Sequence, residues 1–63
     1  MSFIIPDSAK VIRANGVFHG ELFRGVVLWR ERGGWASADS AYILRADCPR
    51  CEITGYQILM KEN

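Results

Sequence analysis

The stretch Phe23-Arg24-Gly25-Val26-Val27-Leu28-Trp29 decides how this chain folds. It is the longest nearly unbroken apolar run, it is rich in β-branched and aromatic residues, and glycines punctuate both sides. That composition fits a pleated, half-buried surface, so the stretch reads as the central strand of a small domain. The competing reading is a helix over residues 21–32, capped by Gly33-Gly34, with Leu22, Val26 and Trp29 on one face. Gly25 in its interior and the pair Val26-Val27 are poor helix formers, and the strand is preferred.

On the N-terminal side, Asn15-Gly16 separates two β-type runs. Both residues tolerate the positive φ of a type I′ turn, so the pair predicts a hairpin loop. This register sets Ala14 against Val17, Ile12 against His19 and Lys10 against Glu21, and gives the other face Val11, Arg13, Phe18 and Leu22. Gly20 and Gly25 then interrupt a long extended segment, as glycines do at bulges and bends. Before the hairpin, Phe3-Ile4-Ile5 is a short apolar arm stopped by Pro6, suited to a sheet edge or a flap over the core.

On the C-terminal side, Arg32-Gly33-Gly34 reads as a turn that returns the chain through Trp35. Trp29 and Trp35 then face each other across a hairpin, both as core anchors. Residues 39–48 alternate as a strand, with Tyr42, Leu44, Ala46 and Cys48 on one side and Ile43, Arg45 and Asp47 on the other. A helix over residues 39–47, capped by Ser37 or Asp39, is the alternative. Cys48-Pro49-Arg50-Cys51 is a turn with proline at its second position. Residues 52–61 close the chain as a strand, and residues 61–63 read as a frayed tail.

The fold expected is all-β: one domain over residues 1–63, about five antiparallel strands in a bent sheet or a small SH3-like barrel. The alternative is α+β, one short helix on a three- to four-stranded antiparallel sheet. A chain of 63 residues buries only about 60% of the surface its unfolded form exposes, so the margin of stability is thin.

Composition narrows the function. An apolar fraction of 49% with 24% charged residues is that of a globular chain. Eight basic against seven acidic side chains leave a net charge of +1, which argues against strong sequence-independent phosphate binding. No apolar run reaches the roughly 18 residues of a membrane span, and the N-terminus lacks a basic segment of the signal-peptide kind. Two cysteines fit a reducing compartment, and a cytoplasmic location is expected.

Cys48-x-x-Cys51 is the sharpest local pattern. Two thiolates at this spacing are half of a tetrahedral zinc site. Zinc then needs His19, the single histidine, plus a carboxylate, or a symmetric dimer sharing four thiolates. With the other half missing from the sequence, the expectation is a turn bearing two small residues, with His19, Cys48 and Cys51 held as metal candidates and no cofactor assigned. Redox chemistry calls for a thioredoxin-like βαβ context that this length does not allow. The run Ala46-Asp47-Cys48-Pro49-Arg50-Cys51 resembles one half of small phage zinc-finger regulators. The acidic residues are scattered singly and no phosphate-binding glycine loop is present, so no catalytic residues are assigned and no enzymatic activity is expected.

Arginines interleaved with indoles remain: Arg24, Trp29, Arg30, Arg32 and Trp35. These residue types anchor protein–protein hot spots and also stack bases beside phosphate. The segment from Val11 to Val27, with Gly16-Val17-Phe18-His19-Gly20 and Gly25-Val26-Val27, resembles the KOW motif of ribosomal and transcription-elongation proteins. Four residues separate Gly20 from Gly25, one more than that pattern has. The resemblance implies a small barrel that touches RNA or protein. The function expected is a non-catalytic protein-binding module, monomeric or homodimeric, in the size class of accessory or inhibitor proteins of phages and mobile elements. Its partner is a larger protein, and those five residues are the contact set. The alternatives are an RNA- or DNA-contacting barrel and a zinc-linked dimer.

Overall fold

A computed structural model describes residues 5–62. Five strands, β1 (Ala9–Phe18), β2 (Glu21–Glu31), β3 (Gly34–Ala36), β4 (Ile43–Arg45) and β5 (Cys51–Lys61), form one antiparallel sheet in the order β4-β3-β2-β1-β5. The all-β expectation holds, in its bent-sheet form. The sheet is not closed into a barrel: edge strands β4 and β5 come into contact but do not pair. Residues 39–47 contain no helix; their only regular element is β4.

The stretch from Phe23 to Trp29 lies in β2, third of the five strands. The pairing is nevertheless organised by β1, which has β2 along one side and β5 along the other. By contrast β2 pairs with β3 only at Trp29, Arg30 and Glu31.

The first hairpin turns at His19-Gly20, not at Asn15-Gly16. His19 (φ 50°) and Gly20 (φ 86°) both lie in the left-handed region, as a two-residue type I′ loop requires. The register becomes Ile12 opposite Leu28, Ala14 opposite Val26 and Val17 opposite Leu22. The physical reason is burial. This register stacks Ile12 and Leu28, both fully buried, whereas the shorter hairpin sets Ile12 against His19. Asn15 and Gly16 do other work inside β1. Two residues, Arg24 and Gly25, lie opposite the single residue Asn15, and the Gly25 N–H donates to Asn15 Oδ1 at 2.8 Å. This is a glycine bulge, with Gly25 at φ 63°. At Gly16 the neighbouring strand runs so close that any Cβ would collide with the Glu52 carbonyl oxygen.

The core lies on one face of the sheet. Ala9, Ile12, Ala14, Phe23, Leu28, Trp35, Leu44 and Cys51 form one buried cluster, with Phe18, Val26, Tyr42, Ile53 and Ile58 packed against it. Phe18 and Phe23 meet Tyr42 at ring-centroid distances of 5.5 and 5.3 Å. Two further expectations change. Lys61 belongs to β5 and the Glu62 N–H donates to Ser8 O at 2.7 Å, so the C-terminal end is tied to the start of β1 rather than frayed. Of the N-terminal arm, Ile5 packs against the core, while Phe3 and Ile4 fall outside the described residues, as does Asn63.

Candidate metal centre and contact face

Three of the residues considered for chemistry come together. His19 sits in the β1–β2 turn, Cys48 precedes the β4–β5 turn, and Cys51 opens β5 directly opposite Phe18. Their ligand atoms all lie within 4.8 Å of one another. Both cysteines are free; the Cys51 thiol donates to Cys48 Sγ at 2.7 Å. The Cys51 N–H donates to Cys48 O at 3.4 Å, which closes the turn around Pro49 and Arg50. Burial pushes the Cys51 thiol pKa up, the hydrogen bond to Cys48 adds to this, and the backbone of His19 pulls the other way. Two contacts hold the histidine. Its ring meets Phe18 edge-on at 4.3 Å between centroids, and Arg50 Nη2 donates to its carbonyl oxygen at 3.4 Å.

The five expected contact residues do not form one patch. Trp35 is 2% exposed, inside the core, and so is a packing residue and not a surface one. Arg30 lies over it, its Cζ 4.4 Å from the ring centroid. The Arg30 guanidinium is further occupied by Ala9 O at 2.8 Å and Pro6 O at 2.9 Å, pinning the chain before β1. Arg24 sits in the bulge and Arg32 in the β2–β3 turn, at opposite ends of β2. Trp29 alone faces solvent as an indole, 42% exposed, on the sheet surface opposite the core. The two indoles therefore point to opposite faces, because an odd–even offset separates Trp29, opposite Ala36, from Trp35, opposite Arg30.

Around Trp29 the pairing builds a feature that the sequence reading missed. Val11 pairs with both Trp29 and Met60, Trp29 with Ala36, and Ala36 with Ile43. Directly paired residues share a face, so Met60, Val11, Trp29, Ala36 and Ile43 form an apolar row across all five strands on the outer face. Val11 and Ala36 are buried yet stand outside the core cluster. Met60, Trp29 and Ile43 remain exposed. On one side the row is flanked by Gln57, Arg13 and Val27, on the other by Glu31, Gly34 and Arg45. A shallow groove of about 450 Å³ runs on from Trp29, past Val26 and Val27, to Ala38 and Tyr42.

The signal for this face was in the sequence as unbroken apolar runs. Val11-Ile12, Val26-Val27-Leu28-Trp29, Ile43-Leu44 and Ile58-Leu59-Met60 defeat strict alternation, and a strand apolar on both sides reads this way. No protein-family profile, no curated protein and no solved structure matches this chain.

Proposed function

We propose that this chain is a non-catalytic protein-binding module that covers a surface of a larger protein with the outer face of its sheet. The observation that carries the reading is the row Met60–Val11–Trp29–Ala36–Ile43. A one-layer antiparallel sheet normally turns a polar face to water. Here the second face is apolar along its centre, with arginine, glutamine and glutamate at its borders. That is the anatomy of a protein interface, a dehydrated centre inside a polar rim. An exposed tryptophan at the middle is the residue type most often found to dominate such contacts. An accessory or inhibitor role fits this mode of action.

The test is affinity capture from the native host with wild type, Trp29→Glu and Leu22→Glu. Leu22 is 84% exposed and lies off the row, so it controls for a general loss of surface hydrophobicity. The reading expects Trp29→Glu to lose the captured protein by about 2 kcal/mol or more in affinity, with Leu22→Glu near wild type. Equal capture by all three would remove the outer face as the contact surface. Recovery of nucleic acid instead, with affinity collapsing as salt rises, would move the chain to the second class of function.

A further inference from the structure

We propose that His19, Cys48 and Cys51 bind one zinc ion per chain, leaving the fourth coordination position open to water. Two thiolates and one imidazole are the donor set that selects zinc over hard cations. The sequence supplied only the two cysteines as neighbours; folding the first hairpin at His19-Gly20 brings the imidazole to them. Tetrahedral zinc with bonds of about 2.3 Å holds two sulfurs roughly 3.8 Å apart. The two sulfurs are in contact, and binding sets them at that spacing by a rotation within reach of the Cys48 side chain at the edge of its turn. Both thiol protons leave to solvent as zinc enters, and the two thiolates neutralise the ion.

The backbone of His19 is left-handed. Its φ of 50° occupies the first position of a type I′ turn followed by glycine, where asparagine is the residue the geometry favours. A histidine, which also tolerates this conformation, stands there instead, beside two thiols. Arg50, between the cysteines, reaches across to the His19 carbonyl and already joins the two loops that the metal would clamp. Gly20 leaves room for that arm, since a Cβ there would stand 2.8 Å from Arg50 Nη2.

The experiment titrates reduced, metal-free protein with Co²⁺ as the probe and then with Zn²⁺, using wild type, His19→Asn and Cys48→Ser. The proposal expects one Co²⁺ per chain, with the visible bands of a tetrahedral ion and a sulfur-to-cobalt charge-transfer band, both bleached by Zn²⁺. At a hundredfold excess over its Kd, zinc should raise Tm by about 10 °C or more. His19→Asn restores the favoured Asn-Gly turn, so it should fold at least as stably without metal. It should bind cobalt about tenfold more weakly or worse, and Cys48→Ser should lose most of the charge-transfer intensity. Four results would overturn the site: no cobalt spectrum in reduced protein; unchanged affinity in His19→Asn; half an ion per chain in a thiolate-bridged dimer; or a Cys48–Cys51 disulfide that persists in reductant.

Discussion

Gly25 and Gly16 occupy the same stretch of the β1–β2 ribbon and are glycine for different reasons. Gly25 has open space where a Cβ would project, and only its φ of 63° favours glycine. Gly25→Ala should therefore cost about 1 kcal/mol of backbone strain. Gly16 has an ordinary φ, but a methyl group there strikes the Glu52 carbonyl and lies 2.9 Å from the Phe23 ring. Gly16→Ala should cost more, about 2–3 kcal/mol, because β1 and β5 must part. Urea unfolding of the two variants side by side checks the order, and a reversed order would contradict the pairing. Arg30 illustrates what residue type alone conceals. Arginine beside tryptophan suggested a contact residue, yet its donors are used on Ala9 O and Pro6 O and its plane on Trp35. Arg30→Ala should lower stability by about 2 kcal/mol, and Arg30→Lys should recover little, since a lysine cannot serve both carbonyls and stack. Full stability in Arg30→Lys would show that the fork is not needed.

At the level of elements, the strands were legible and the turns only partly. Val26-Val27 and Gly25 marked β2 as a bulged strand, and Pro49 marked the turn between the cysteines. The first hairpin was misplaced because Asn15-Gly16 carries the stronger local preference. Tertiary burial of Ile12 against Leu28 outweighs it, a competition that a local rule does not contain. His19, Cys48 and Cys51 were legible as candidates from residue type alone, but nothing in their spacing placed them together; the turn at His19-Gly20 does. The loop between β3 and β4 was ambiguous for a related reason, since Ser37 and Asp39 suit a helix cap and a turn equally. In the fold they build a turn. The Ser37 hydroxyl donates to Asp39 Oδ1 at 2.6 Å, the Ala41 N–H donates to the same oxygen at 3.1 Å, and the Tyr42 N–H donates to Ser37 Oγ at 3.1 Å. The Ser37 hydroxyl first, and the Ala41 amide second, lower the Asp39 pKa. A lowered folded value means the stabilisation is whole above the ordinary aspartate range and fades as pH falls through the lowered value. The protection of the Ala41 and Tyr42 amides, taken relative to their intrinsic exchange rates at each pH, should fall below that range in wild type. Asp39→Asn should flatten the dependence, and an identical acid response in that variant would remove Asp39 as the cause.

For the molecule as a whole, the core face resembles that of any small β-domain, and the outer face sets this one apart. Alternating apolar and polar residues would have given a sheet with a dry side and a wet side. The chain instead places Val11, Trp29, Ala36, Ile43 and Met60 in register across five strands, on the side away from the core. That alignment depends on the turn at His19-Gly20 and on the bulges, and so it emerges only when the strands are laid side by side. The most direct measurement is NMR of the free protein with a soluble paramagnetic agent, repeated after adding the captured partner. The Trp29 indole N–H and the methyls of Ile43 and Met60 should be strongly attenuated in the free protein and protected in the complex, with the Trp35 indole spared in both. A Trp29 indole shielded in the free protein, or still attenuated with the partner bound, would contradict the assignment of this face.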